Sequence, residues 1–443
     1  MKKALAILMG LLILATSLVG CGVTEPEDSA KSAPSTDASL PENENEVYAD
    51  TLVVPGAVRK DVFYSDISEA FRQSLWTFAA KTSGAALEAE SYVNSLYSPL
   101  SLYYALAMLE AGAAGATKAD LRGLMAAGEA DIGEELSKLY ALMAGAREGS
   151  IEQVANALWI KRELLANREE GLKDGWLDQM ANHFYASAFA VDFTDPETSE
   201  KMSRWVEDQT KGKIKPQIDV SDPLLLLVLM NTLYFKAEWA DRFDPGLVNG
   251  PFYGDRTMNL EASYLSRLFK QHPAVRTDRF VSTQVPLKNG FIEFILPAKG
   301  LTPEDLLEDP AFLTDLREEE PGFYDIDFKL PQFTYNNKID ILEKMASLGL
   351  TATVTDNPDF SAMYDGEIRV SGISQEAFIS LDEKGIEAAA YTEVFMADSG
   401  APQETELIEI HLNRPFIYVI SDQAGAPLFV GIIRNPGVTV VES

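Results

Sequence analysis

The residues that could do chemistry are few and poorly placed for it. The chain has 443 residues, with three histidines, His183, His272 and His411, and a single cysteine, Cys21. A nucleophilic triad needs a histidine within hydrogen-bond reach of both nucleophile and orienting acid, and none of the three stands in a motif that would supply one. There is no Gly-x-Ser-x-Gly elbow, no HExxH, no cysteine pair, no GxGxxG turn and no Walker loop. The histidines lack metal-ligand spacing, so no metal or cofactor is expected and the chain does not read as an enzyme. A lone cysteine cannot form an intrachain disulfide. Acidic residues number 68 against 37 basic ones, a net charge of −31. A surface that acidic repels phosphate backbones and argues against nucleic-acid binding. The small basic run Lys211 to Lys215 reads as a solvated helix end and turn.

A different kind of chemistry, a change of strand partner, is suggested by Glu383-Lys384-Gly385-Ile386-Glu387-Ala388-Ala389-Ala390-Tyr391-Thr392 and the residues that follow. With period two, one face is Ile386, Ala388, Ala390, Thr392, Val394 and Met396, apolar or small throughout. The other is Glu387, Ala389, Tyr391, Glu393, Phe395 and Ala397 and carries the charges. That alternation is a strand's. Yet alanines are poor strand formers, and the segment runs into the breakers Asp398-Ser399-Gly400-Ala401-Pro402. A segment able to be either loop or strand is what a fold-switching device requires.

Lys2 and Lys3 precede an apolar stretch, Ala4 to Ala15, that is short for a bilayer span. Leu18-Val19-Gly20-Cys21 follows and is similar to a bacterial lipobox, in which Cys21 becomes the lipidated first residue. Residues 1–21 are therefore expected to be a lipoprotein signal peptide, and the protein to be exported and lipid-anchored to the cell envelope or cell surface. Residues 22–60 are acidic and proline-bearing and are expected to be a disordered tether. Residues 61–443 read as one domain without internal repeat. Ile67, Phe71, Leu75 and Phe78 recur at helical spacing. Ser98-Pro99 places an N-cap and a first-turn proline, and Thr117-x-x-Asp120 resembles a capping box. Val154 to Ile160 is β-rich, Leu224 to Met230 suits a buried central strand, and Tyr324 to Leu330 alternates. Phe416 to Ile420 and Leu428 to Ile433 flank Asp422-Gln423-Ala424-Gly425 as a hairpin. Helices gather early and strands late, which predicts an α+β fold.

Several motifs, in order, resemble the serpin family over nearly all of residues 61–443. Asn94 to Ser101 is similar to the family's helix B entrance, and Trp205 to Ile214 to its helix F segment. Asn231 to Trp239 resembles the strand that carries the shutter asparagine and the breach tryptophan. Leu330-Pro331-Gln332-Phe333, Asp359-Phe360-Ser361, Arg414-Pro415-Phe416 and Leu428-Phe429-Val430-Gly431 with Asn435-Pro436 fit as well. Glu383 to Thr392 resembles the hinge of the reactive loop. Three residues depart from the family pattern: Gln375 stands where many animal members have histidine, Ile386 where threonine or serine is preferred, and Tyr391 interrupts the small residues. Gln offers donor and acceptor, so it can still bond to Ser98 or Asn231.

The resemblance implies a serpin fold: a large central sheet, further sheets, surrounding helices and an exposed reactive-centre loop at about 384–410. It implies a monomeric suicide inhibitor of serine (or cysteine) endopeptidases, whose cut loop inserts into the central sheet. The alternative within the fold is a non-inhibitory binding or chaperone-like module. Hinge and inserting-strand roles fall to Glu383, Gly385, Ile386, Ala388, Ala389, Ala390 and Thr392, and shutter and breach roles to Ser98, Ser101, Asn231, Gln375 and Trp239. Counting about seventeen residues from Glu383 puts the scissile bond between Ser399 and Gly400. Counting back from Arg414 points near Glu404; the hinge count is preferred because the sheet fixes the inserted length. Ser399 at the cut favours an elastase- or subtilisin-like partner, and no Lys or Arg between Lys384 and Arg414 serves a trypsin.

Overall fold

A computed structural model describes residues 48–437 apart from 90–91, 166–170, 221, 223–224, 255–258, 342–343, 345–346, 356, 371–373 and 387–404. Cys21, most of the tether, and the segment holding Ala388, Ala389, Ala390, Thr392, Ser399 and Gly400 therefore lie outside the described residues. Two mixed sheets and eight α-helices make the described fold α+β.

The helices form where the sequence caps them. Ser68 opens α1 (Glu69–Ala86) by accepting from the Phe71 N–H, and Phe71, Leu75 and Phe78 bury the spaced apolar face. Ser98 opens α2 (Pro99–Gly112), with Pro99 in the first turn, where its missing N–H costs nothing. Helix α2 is buried on almost every side, as a helix apolar all round must be. Helices α3 (Gly115–Leu124), α4 (Ile132–Met143) and α5 (Asp174–Asn182) follow, then α6 (Pro196–Gln209), capped by Asp195, and the short α7 (Pro303–Leu307) and α8 (Phe312–Glu318).

The first sheet runs in the order β1 (Asp50–Val53), β5 (Ala186–Val191), β4 (Ser150–Lys161), β6 (Leu227–Glu238), β14 (Gly385–Ile386), β13 (Ser374–Asp382) and β12 (Phe333–Asp340), with β3 (Gly145–Arg147) also on β4. The second runs β15 (Leu407–His411), β11 (Gly322–Pro331), β8 (Asn259–Arg276), β9 (Phe280–Leu287), β10 (Gly290–Pro297), β16 (Phe416–Ser421), β17 (Pro427–Ile433) and β2 (Ser95–Tyr97), with β7 (Val248–Tyr253) on β8. One large core, in which α1 and α2 take part, joins the inner face of the first sheet to the second. A smaller apolar cluster covers the outer face of the first sheet, where Met202, Trp205 and Val206 of α6 meet Ala157, Trp159 and Phe189. The hairpin expected at Asp422 to Gly425 is present between β16 and β17.

Four expectations need correction. The α3 helix starts at Gly115, and Thr117 is no cap: its Oγ1 accepts from the Asp359 N–H at 2.8 Å. The apolar run near Leu224 enters β6 only at Leu227, and its first residues are half-buried because the strand's inner edge there has no ladder partner among the described residues. The tether expected to reach residue 60 ends sooner: Tyr48 is buried against Phe189, and β1 extends the sheet beyond β5. The exposed loop expected from about 384 to 410 is contradicted at both ends, because Gly385–Ile386 is a strand and Leu407–His411 is another, and residues 387–404 lie outside the described residues.

Where the two sheets meet, two carboxyls are buried together. Burial pushes Glu152 of β4 up to about 8, with the Asp422 charge raising it further and Arg147 and Asn289 opposing. Burial likewise pushes Asp422 up to about 7, although the Ala426, Ala424 and Gly425 N–H groups and Arg147 pull it down. Arg147 is held away from full pairing, donating to Asn289 Oδ1 at 2.8 Å and to the Leu142 carbonyl at 2.5 Å. Glu152 Oε1 finds no partner among the described residues. Both folded pKa values exceed the unfolded carboxylate range near 4, so the stability these groups contribute is whole below about pH 4 and is lost as pH rises through 7 to 8. The loss is about 1.4 kcal/mol per pH unit for each group that titrates only in the unfolded chain. Urea midpoints are therefore expected to fall between pH 5 and pH 8, and Glu152→Gln is expected to flatten that slope; an unchanged slope in the variant would remove Glu152 from the account.

Candidate functional site

The site lies between β6 and β13, where a neighbouring pair of strands would normally share a full ladder. Among the described residues only β14 stands between them. Gly385 and Ile386 pair with Glu238 and Ala237 on one side and with Asp382 and Leu381 on the other. Ile386, expected to face inward, does so and is 2% exposed.

Backbone geometry explains why a glycine opens this strand. Gly385 has φ +147°, and a Cβ there would lie 2.3 Å from the Ala237 carbonyl oxygen and 2.7 Å from Glu238 Cα. Only glycine fits so close an approach. Trp239 frames the entrance: its indole Nε1 donates to the Asp382 carbonyl at 3.0 Å, its backbone N–H donates to the Lys384 carbonyl at 3.1 Å, and its ring packs edge-on to Phe243. Glu383 accepts from Gln332 Nε2 at 2.7 Å, which ties the turn before β14 to the chain between β11 and β12.

Deeper in the sheet, the two strands are tied to the start of α2 rather than to each other. Gln375 of β13 makes a double contact with Ser98: the Ser98 N–H donates to Gln375 Oε1 at 2.7 Å, and Gln375 Nε2 donates to the Ser98 carbonyl at 2.9 Å. A primary amide meets both halves of a peptide group in this way because it carries one donor and one acceptor side by side. Ser98 Oγ donates to the Leu428 carbonyl at 2.7 Å and accepts from the Ser101 N–H as the helix cap. Ser101 Oγ in turn donates to Asn231 Oδ1 of β6. Asn231 Nδ2 donates to Asn156 Oδ1 on β4 at 2.7 Å, and Asn156 Nδ2 to the Phe184 carbonyl at 2.6 Å. A polar chain thus crosses the core from β13 through α2 to β6 and β4, with its members buried or half-buried.

Of the residues singled out from the sequence, the structure brings together Ser98, Ser101, Asn231 and Gln375 in one network, and Trp239, Glu383, Gly385 and Ile386 in another at the sheet's end. Of the two partners Gln375 was expected to choose between, it takes Ser98. Sequence reading missed Asn156 and Gln332. Asn156 carried a signal, a polar residue within the otherwise apolar run from Val154 to Ile160, which must find a buried partner. No group here is arranged for covalent chemistry. Among the described residues no cluster of His, Cys, Asp or Glu is suited to a metal, and no helix is long and apolar enough to cross a membrane. What the arrangement offers, among the described residues, is a two-residue strand paired on both sides that leads into residues 387–404.

The Gln375→Ala variant leaves the buried Ser98 N–H and carbonyl without their partners and is expected to lower stability by about 1–3 kcal/mol for each group left unmet. Chemical denaturation, with the slope against denaturant held common, measures it; a loss under about 0.5 kcal/mol, the range of ordinary surface changes, would mean water replaces the amide.

Comparison with known proteins places these features in context. The family model described as "Serpin (serine protease inhibitor)" matches residues 73–436. Serpin-Z1B of Triticum aestivum is 30% identical over 376 residues, covering 77% of this chain and 90% of that protein. The solved structure of the thermophilic serpin tengpin in its native state aligns with TM-score 0.72 at 24% identity, covering 86% of this chain and 97% of that one. Human thyroxine-binding globulin, solved with its ligand, aligns with TM-score 0.69 at 22% identity over 83% of this chain and all of that one (100%).

Proposed function

The chain belongs to the serpin family, and from that membership we propose that it inhibits serine (or cysteine) endopeptidases as a suicide substrate, its cut loop becoming a strand between β6 and β13. The observation that carries the proposal is the register of β14. Continued from Gly385 opposite Glu238 and Ile386 opposite Leu381, it sets Ala388 between Phe235 and Ile379, and Ala390 between Leu233 and Ala377. Thr392 then arrives between Asn231 and Gln375, the two side chains that hold the gap to α2. Small residues fall beside bulky ones, and Thr392 brings a hydroxyl to the polar network. On the opposite face Glu387 falls beside Lys236, an opposite-charge pair of the kind that favours one register.

Tyr391 falls beside Thr232 on that outer face. This face is less open than the alternation alone suggests: Thr232 is 8% exposed, and Gln209 at the end of α6 bonds to Gln153 on the adjacent β4. Entry of the strand at this point therefore requires α6 to give way locally. The energy available is sufficient. About a dozen new ladder hydrogen bonds at about 0.5–1.5 kcal/mol each come to the order of 10 kcal/mol, comparable to the whole stability of an ordinary protease domain.

We take Ser399–Gly400 as the scissile bond and an elastase- or subtilisin-like enzyme as the target. Incubation with a protease panel is expected to give an SDS-stable complex with an enzyme of that type and a released fragment beginning at Gly400. A fragment beginning near Thr405 would overturn the position of the cut. Ala390→Pro, which removes a ladder donor in mid-strand, is expected to turn the inhibitor into a substrate. Undiminished inhibition by that variant would sink the insertion mechanism, and absence of a complex with every protease would favour a non-inhibitory binding module, for which thyroxine-binding globulin is the structural neighbour.

We also propose that Cys21 carries lipid and that the protein is held at the cell envelope or cell surface, on the strength of Leu18-Val19-Gly20-Cys21 after an apolar run. Two or more acyl chains at about 0.8 kcal/mol per buried methylene hold a protein firmly. Cys21→Ser is expected to move the protein from the membrane fraction to the soluble one on fractionation; retention of the variant in membranes would refute the anchor.

A further inference from the structure

Beyond the far end of the reactive segment, Asp325 of β11 sits at an irregularity of the β8–β11 pairing. The β8–β11 register shifts there, so that Lys270 and Gln271 together oppose the single Asp325. This is a β-bulge, and Gln271 takes φ +48°, a left-handed conformation uncommon for a residue with a side chain. Both bulge residues aim donors at the same carboxylate: Lys270 Nζ lies 2.6 Å from Oδ2, and the Gln271 N–H 3.2 Å from Oδ1. Thr405 Oγ1 completes the set at 2.7 Å from Oδ1, and the Asp325 N–H donates to the Glu406 carbonyl at 2.9 Å. Lys270, Thr405 and Gln271 hold the Asp325 carboxyl down at about 2, so it is charged at any ordinary pH. One carboxylate therefore joins the bulge to the first described residues after the loop.

Reach makes this position consequential. In the register set by β14, a strand lying along all of β6 would run from Ile386 opposite Ala237 to Met396 opposite Leu227. That descent is about 33 Å at ~3.3 Å per residue. From Met396 back to Thr405 the chain has nine links, spanning at most about 32 Å fully extended and less after reversing direction. Thr405 also lies beyond the entrance: Asp325 is six residues before Pro331, and β11 leads through Gln332 into β12 without a hairpin. An uncut chain cannot fill the gap while Thr405 stays in place. A cut chain can, because its two ends part.

We propose that Asp325 is the latch on the loop's distal arm, and that its grip on Thr405 sets how slowly the uncut chain slips into the sheet. The inference rests on the strand-insertion reading above. Residue 405 is the first to be freed in such a slip, and β15 behind it is a five-residue edge strand held on one side by β11. The exposed Arg276–Glu406 pair at 3.0 Å adds little, as solvent-screened pairs do.

The test follows full-length uncut protein during warm incubation, scoring the fraction that becomes heat-resistant with its loop no longer cleavable by a non-target protease. Thr405→Val and Asp325→Ala are expected to shorten the half-time of that conversion at least five-fold. Thr405→Ser, which restores the hydroxyl, is expected to behave as wild type, a rescue that a role in packing alone would not give. Half-times within two-fold of wild type for both Thr405→Val and Asp325→Ala, while each protein still gains heat resistance after the loop is cut, would overturn the latch and leave insertion standing. A wild-type protein that gains no heat resistance on being cut would instead overturn the insertion reading itself.

Discussion

Between two long strands of one sheet, β6 and β13, the described residues place only the two-residue β14, and the polar network and the entrance are arranged around that interval. Among the described residues neither strand has a ladder partner on its inner side below Ile386. An open strand edge, wherever one occurs, invites another strand to pair with it. Each of the two strands is tied to the same helix end. Gln375 takes hold of the Ser98 peptide group, and Asn231 takes the hydroxyl of Ser101 three residues on. The start of a helix suits this role because its first N–H groups have no partners within the helix. Ser98 shows the economy of the arrangement, capping α2, bonding to Gln375 and reaching the Leu428 carbonyl at once.

The two faces of the gap are unlike. Beneath it the core is already full, with Phe235, Leu233 and Ile379 buried among the side chains of α2. On the proposed mechanism a strand entering there would find room for small side chains, which the alanines at alternate positions after Ile386 would meet. Above it, α6 rests on the sheet through Trp205, Val206 and Met202, and the Gln153–Gln209 bond marks where its end is fixed. The lower face thus limits side-chain size, and the upper face limits the path.

Much of this was legible in the sequence, for reasons that differ from part to part. Ser98-Pro99 announces a helix start through local chemistry alone, and the hairpin at Asp422 does the same through its turn residues. The period-two pattern after Gly385 describes a strand that would have one apolar face, and Ile386 lies on that face in the structure. Gln375, Asn231 and Trp239 could be singled out only through resemblance, because nothing within a few residues of each says what it meets. Partners far away in sequence were harder still. Asn156 bonds across to β6, and Asp325 meets Lys270 and Gln271 through a bulge that no local pattern encodes. Thr117 shows the opposite failure, a plausible cap motif overridden because the preceding turn already starts the helix and Asp359 claims the hydroxyl. β1 escaped notice because an acidic, proline-bearing stretch has too little apolar area to fold alone, whereas a sheet edge and the buried Phe189 ring give its end something to pair with.

The two residues of β14 also bear on the kinetics of strand addition. The costly step in building an ordered segment is nucleation, fixing the first few backbone angles before enough hydrogen bonds form to offset the entropy. Here the nucleus exists beforehand, with Gly385 and Ile386 bonded to both neighbours. Each later residue would add to a growing end, as a zipper closes from a tooth already engaged. The same two residues fix the phase of closure, since a slip by one position would turn every side chain to the wrong face and bring a Cβ into the 2.3 Å approach that only Gly385 survives. On the proposed mechanism a released end would be drawn in by propagation from this nucleus, at the pace that the end of α6 allows.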